Sequence, residues 1–227
     1  MTIKITGGSL SELFRCAATG PFMQAEIASA TGLGKLRVTC NWLYSALNCD
    51  PSDASPFVWE FSKLDDQHIS LSPAASCIGQ TLYASVRDDY NWLLQVQAPF
   101  SADWITAARR DETIGFALHG LLTAELRGFN GAYITLNGTP DSQGGHAGYR
   151  LASTGSSFGQ NAQWIIAIKN CLQSHIEFSP PAITRELLEQ QLRNSGISPS
   201  GRTISAIARQ LNLPEAGALA APASEPG

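Results

Sequence analysis

The chain has 227 residues, 15% charged and 44% hydrophobic, with a formal net charge of −4. That length supports one domain with a real core plus an appendage. The acidic balance excludes a general binder of nucleic acid or anionic membrane, which needs a basic face.

No stretch approaches the roughly 18 consecutive apolar residues of a membrane span. Residues Met1–Gly8 lack the basic-then-apolar layout of a signal peptide. The five cysteines (Cys16, Cys40, Cys49, Cys77 and Cys171) form no Cys-x-x-Cys and have no histidine clustered with them. Neither a metal nor another cofactor is therefore expected. An odd cysteine count without a signal layout points to reduced thiols in a cytoplasm.

From Leu13 to Leu151 a four-beat pattern recurs three times. The rounds open on Leu13-Phe14-Arg15, Ile69-Ser70-Leu71 and Ile114-Gly115-Phe116. Each continues into a strand expected to end on an alanine, anchored at Ala25-Glu26-Ile27, Ala84-Ser85-Val86 and Ala124-Glu125-Leu126. An alternating strand follows: Leu36-Arg37-Val38, Leu94-Gln95-Val96 and Ile134-Thr135-Leu136. An aromatic strand closes each round, around Trp59, Trp104 and Tyr149. Gly20, Gly79 and Gly120 stand before the alanines, where a turn residue is expected. Such self-similarity predicts an all-β fold, a β-trefoil of three four-strand rounds, with an ordinary β-sandwich as the alternative. The aromatics at matching positions read as core residues, and Cys16 and Cys77 as small core packing.

The segments Phe57-Val-Trp-Glu-Phe, Ile69-Ser-Leu, Gly79-Gln-Thr-Leu-Tyr-Ala and Gly120-Leu-Leu-Thr-Ala carry a family likeness. Over residues 10–152 the chain resembles the fascin-like branch of the β-trefoils. There a Trp-Glu-x-Phe strand precedes an apolar triplet and a Gly-x-Tyr-Leu-x-Ala strand. The resemblance implies contact with proteins or the cytoskeleton. Lectin trefoils of the ricin type carry Gln-x-Trp in each repeat; here Gln163 abuts Trp164 directly, outside the rounds.

Loops on a rigid scaffold carry function, and two are singled out. An insertion, Asn41 to Pro56, lengthens only the first round and offers Trp42, Tyr44, Asp50 and Asp53 as ligand contacts. The loop from Gly138 to Gly148 offers Asp141, Gln143 and His146.

Three units are expected: a trefoil over 1–152, a connector and helical extension over 153–213, and a disordered tail over 214–227. Gly155-Ser156-Ser157-Phe158-Gly159 matches a nucleophile elbow. After Ser157 no aspartate follows and His175 is the only histidine, so the segment reads as a connector and no catalytic residue is assigned. Asn161 to His175 reads as a strand or a helix. Ile183 to Arg193, with Thr184 as N-cap, and Arg202 to Leu211 read as amphipathic helices. Thr203 to Pro214 resembles the first helix of a helix-turn-helix, but Glu215-Ala-Gly-Ala-Leu-Ala-Ala-Pro222 offers nothing to a DNA groove. The helices are expected to bury their stripes on the trefoil or on a second copy of the chain.

These readings point to a non-catalytic module that presents loops to a protein or glycan partner. The alternatives are a carbohydrate-binding, lectin-like protein, an accessory subunit of an enzyme complex, and, least supported, DNA binding through the C-terminal helices.

Overall fold

The computed structural model describes residues 3–4, 10–40, 45–66, 69–75, 83–84, 94–95, 117–118, 120–125, 133–140, 149–154, 159–178 and 182–214. Within them the fold is mostly β, with an extensive antiparallel sheet and few helices. The strands are β1 (Ile3–Lys4), β2 (Gly20–Ser29), β3 (Lys35–Cys40), β4 (Ser45–Asp50), β5 (Trp59–Lys63), β6 (Ile69–Pro73), β7 (Tyr83–Ala84) and β8 (Leu94–Gln95). They continue with β9 (Ala117–Leu118), β10 (Leu121–Glu125), β11 (Tyr133–Pro140), β12 (Tyr149–Thr154), β13 (Gln163–Cys171) and β14 (Ile176–Glu177). The helices are α1 (Leu10–Cys16), α2 (Arg185–Asn194) and α3 (Gly201–Gln210).

The long strand β2 organises the sheet. Along one edge it pairs with β13, from Met23↔Cys171 to Ser29↔Trp164. Its other edge is shared: β5 pairs with residues 20–25, and β3 joins at Ala28↔Lys35. The β5 register shifts between Pro21 and Met23, where a proline without an N–H weakens the ladder. On its far side β13 pairs with β10, Leu122 facing Ile166.

Side chains alternate across these strands. Met23, Ala25 and Ile27 join Trp164, Ile166 and Ile168 in one core with Trp59, Phe61, Leu71 and Leu13. On the opposite face, Ala28, Ile165, Ala167 and Leu121 pack under α2 and α3. A strand buried on both faces reads as a continuous apolar run, which periodicity alone does not separate from a helix. Residues 163–171 resolve that choice as strand.

Three expectations are corrected. Leu13-Phe14-Arg15 lies on α1, not on a strand; Leu10, Leu13, Phe14 and Ala17 carry the spacing of a helix face, and Leu13, Phe14 and Ala17 are buried in the core. The insertion 41–56 is not all loop, because Ser45–Asp50 forms β4 and pairs with the whole of β3. The boundary expected at 152 precedes β13, which lies in the sheet between β2 and β10, so residues 153–213 are not an appendage to a sheet already complete. The ladders also differ between rounds among the described residues. In the first round β2 meets β3, β5 and β13; its third-round counterpart, β10, meets β9 and β13. Residues 215–227, nearly all of the expected tail, lie outside the described residues.

Thr184 caps α2 as expected, and Ser200, which the sequence reading did not name, caps α3. The Leu187 N–H donates to Thr184 Oγ1 at 3.3 Å, and the Thr203 N–H to Ser200 Oγ at 3.2 Å. Leu188, Leu192, Ile204, Ile207 and Leu211 are buried against the sheet, so these side chains are covered within the chain itself. Leu187 is only half-buried. Small residues on the sheet face admit the helices. Gly32, at φ +77°, lies so near α3 that a Cβ there would meet Ala206 Cβ at 3.1 Å and Thr203 O at 3.3 Å.

Candidate functional site

The connection between β4 and β5, residues 51–58, is shaped by a doubled Asp-x-Ser pattern. Asp50 Oδ1 accepts from the Ser52 N–H at 2.8 Å and from its hydroxyl at 2.6 Å. Asp53 Oδ1 accepts from the Ser55 N–H at 2.9 Å and its hydroxyl at 2.6 Å. Each aspartate thus closes a local turn of the type these residues favour. Two of the sequence-stated ligand candidates, Asp50 and Asp53, are therefore occupied in folding their own loop. The other five, Trp42, Tyr44, Asp141, Gln143 and His146, lie outside the described residues, as does Ser157.

Beneath the loop lies a buried charge cluster. Lys35 and Arg37 alternate with Leu36 and Val38 on β3, which puts the two cations on the face away from the first core. Lys35 is 0% exposed and Glu26 is 2% exposed. Lys35 Nζ donates to Glu26 Oε1 at 2.5 Å and to the Ser55 carbonyl at 3.2 Å. Lys169 of β13, with its side chain 34% exposed, pairs with Glu26 Oε2 at 2.8 Å. The Phe57 N–H also donates to Glu26 Oε1, at 3.3 Å. One carboxylate thereby ties together three strands and the loop.

Burial alone would raise the Glu26 carboxyl; hydrogen bonds from Lys169 and Lys35 outweigh it and hold the group below the usual carboxylate range. Burial lowers the Lys35 ammonium by more than Glu26 restores. Arg37 holds the outer part of the loop. It forms an ion pair with the Asp53 carboxylate, donates to the Asp53 carbonyl at 3.3 Å and to Ser55 Oγ at 2.9 Å, and sits 5.5 Å from the centre of the Phe57 ring. Partial burial opposes ionisation of Asp53, but bonds from Ser55 and Arg37 prevail and bring its pKa down to about 2.

The end of α3 closes the other side. Gln210 Nε2 donates to the Pro51 carbonyl at 2.8 Å and Asn212 Nδ2 to the Ala54 carbonyl at 3.3 Å; Arg209 reaches the Pro51 carbonyl at 3.4 Å. The loop leaves Ser52, Ser55 and Pro56 exposed. Its chemistry is that of a fixed display of hydroxyls and backbone. Among the described residues no group of three His, Cys, Asp or Glu side chains could hold a metal ion. His175 Nε2 lies 3.3 Å from the Cys16 carbonyl, and burial pushes the Cys49 thiol up, away from reactivity.

Sequence reading missed Glu26, Lys35, Arg37, Gln210 and Asn212 as partners of this loop. The polar alternation of β3 was the one signal available for Lys35 and Arg37. Nothing local foretold that a loop twenty residues on would bury a lysine.

No family model matches the chain, and no curated protein does. Among solved structures it is similar to the lysenin pore, at 13% identity and a TM-score of 0.43, over 68% of this chain and 50% of that one. The chain thus spans about half the length of that relative. It is also similar to ThreeFoil, a designed 3-fold symmetric protein, at 13% identity and a TM-score of 0.40, over 63% of this chain and 97% of that one. Likenesses of this size assign no ligand to the chain.

Proposed function

We propose that the chain is a non-catalytic recognition module that presents the loop 50–57 to a protein or glycan partner. The observation that supports this is the anchoring of that loop from β2, β3 and α3 at once. A loop held in advance loses little conformational freedom when it binds, so more of its contact energy appears as affinity. The exposed hydroxyls of Ser52 and Ser55 and the ring of Pro56 are the groups a partner would meet.

The finer reading of the fold, three trefoil rounds of the fascin-like kind, rests on the register of the sequence repeat. An experimental structure in which the second and third rounds do not repeat the strand order of the first removes it. A reducing, cytoplasmic setting belongs to the same proposal and rests on the cysteine count.

The function is tested by probing a glycan array and a panel of immobilised proteins with the full chain and with Ser52→Arg and Pro56→Arg. Saturable binding that both substitutions abolish, in variants that urea unfolding shows to be folded, is the expected result. Binding that neither substitution weakens, or turnover of a substrate by the wild type, overturns the reading.

A further inference from the structure

The exposed side of the helical layer holds a charged groove that borders the loop and shares Arg209 and Asn212 with its anchoring. On α3, Arg202, Ser205 and Arg209 fall on one face, opposite the buried Ile204, Ile207 and Leu211. Arg185 at the start of α2 forms the facing wall, its guanidinium donating to Ser205 Oγ at 2.8 Å. Asn212 lies at the far end, beyond α3. Together these enclose an open groove of about 860 Å³. Small residues, Gly201 and Ala206 among them, line it as well, so a ligand backbone can approach closely.

Its charge is one-sided. Among the described residues three arginines line the groove and no carboxylate does. Of the acids of α2, Glu189 pairs with Arg193, and the exposed Glu186 is held below the usual carboxylate range by hydrogen bonds from its own backbone and Thr184 and, less, by the neighbouring Arg185 charge. A guanidinium fork matches a carboxylate in two parallel hydrogen bonds, which makes such a wall selective for oxyanions. The groove does not suit duplex nucleic acid. A duplex would extend past it onto a protein of net charge −4 and meet repulsion there. A short segment that touches only the groove feels only the local positive field.

Spacing narrows the ligand further. Arg202 and Arg209 are seven residues apart on one helix, hence about 10 Å along its axis at 1.5 Å per residue. One anionic group does not bridge that distance. In a polyproline II segment, residues three apart share a face and are separated by about 9 Å, at 3.1 Å per residue. We propose that this groove binds an acidic linear segment of a partner protein, with carboxylates at positions i and i+3 of an extended, polyproline-like chain. This deepens the recognition reading and rests on it, with arginine clusters as the general mode for acidic motifs.

The test is fluorescence polarisation with a labelled Gly-Glu-Pro-Pro-Glu-Pro-Pro-Glu-Gly peptide. A second peptide of identical composition has its three glutamates adjacent. The expected result is saturable binding of the spaced peptide that weakens with added salt, and weaker binding of the clustered one. Arg202→Glu and Arg209→Glu should each cost about tenfold or more in affinity, the scale of one charged hydrogen-bonding group. Arg15→Glu, on α1 in the other core, is the charge-matched control and should change nothing. Urea unfolding of each variant establishes that it is folded.

Equal binding of the two peptides overturns the spacing. Equal weakening by Arg15→Glu reduces the effect to net charge. Displacement by pyrophosphate at the peptide's own concentration identifies a small-anion site instead, and stronger displacement by a duplex oligonucleotide identifies a nucleic-acid surface. A partner captured through loop 50–57 whose binding survives Arg202→Glu, alongside no peptide binding at all, sinks this inference while the module reading stands.

Discussion

Glu26 and Lys35 meet at 2.5 Å with both side chains out of water. Breaking a buried ion pair from one side leaves the other charge uncompensated, whereas replacing both by apolar groups is often neutral. Glu26→Gln should therefore destabilise the protein by about 3–5 kcal/mol, and the double change Glu26→Leu with Lys35→Met should recover most of it. Urea unfolding midpoints measure both. A loss below about 1 kcal/mol for the single change would show that water reaches Lys35 once its partner is gone.

Asp53 gives the loop an acid-sensitive clasp. Its folded pKa is depressed to about 2, so its contribution is fully present above the ordinary carboxylate pKa and is lost as pH falls from about 4 toward 2. Its side chain is 42% exposed, so screening by salt should shrink the effect. Asp53→Asn keeps the turn-forming oxygen and removes the charge. The stability gap between wild type and Asp53→Asn should close across that window; a gap that stays constant with pH would assign the clasp to other groups.

The helical stripes face inward. Leu188 and Ile207 are fully buried against the sheet, in company with Ala28, Leu121 and Ile165. Leu188→Ala and Ile207→Ala should each cost about 2–5 kcal/mol, the range for emptying a packed site. The double change Leu188→Asp with Ile207→Asp should open α2 and α3 to proteolysis without changing the mass seen by light scattering. An assembly that shrinks instead would mean these positions serve a contact between chains.

A fragment of residues 1–152 should not fold on its own. It lacks β13, and with it the partner of seven residues of β2 and five of β10. The stripped edges would expose unpaired backbone, and the first core would lose Trp164, Ile166, Ile168, Ile176 and Phe178. Far-UV circular dichroism with urea titration decides the matter. Cooperative unfolding from a β-rich baseline would make β13 dispensable.

Local chemistry made much of this chain legible in its sequence. Trp59 as a core aromatic, Thr184 as an N-cap and the apolar stripes of Ile183–Arg193 and Arg202–Leu211 follow from spacing and side-chain type, and the structure agrees at each. So does the strand character around Ala25, Leu36 and Ile69, because alternation is a property of neighbours in the chain. Even α1 was legible, in the spacing of Leu10, Leu13, Phe14 and Ala17, though a repeat read as strands hid it. Other features depended on segments far apart in sequence. Whether Trp164-Ile-Ile-Ala-Ile is strand or helix turned on β2 and β10 lying on either side of it. Whether Lys35 is a surface lysine or a buried one turned on a loop folding over it, held by Glu26 from below and by Gln210 and Asn212 from the far end of the chain. Burial, pairing and charge compensation belong to pairs of distant residues, and only the tertiary fold determines which pairs meet.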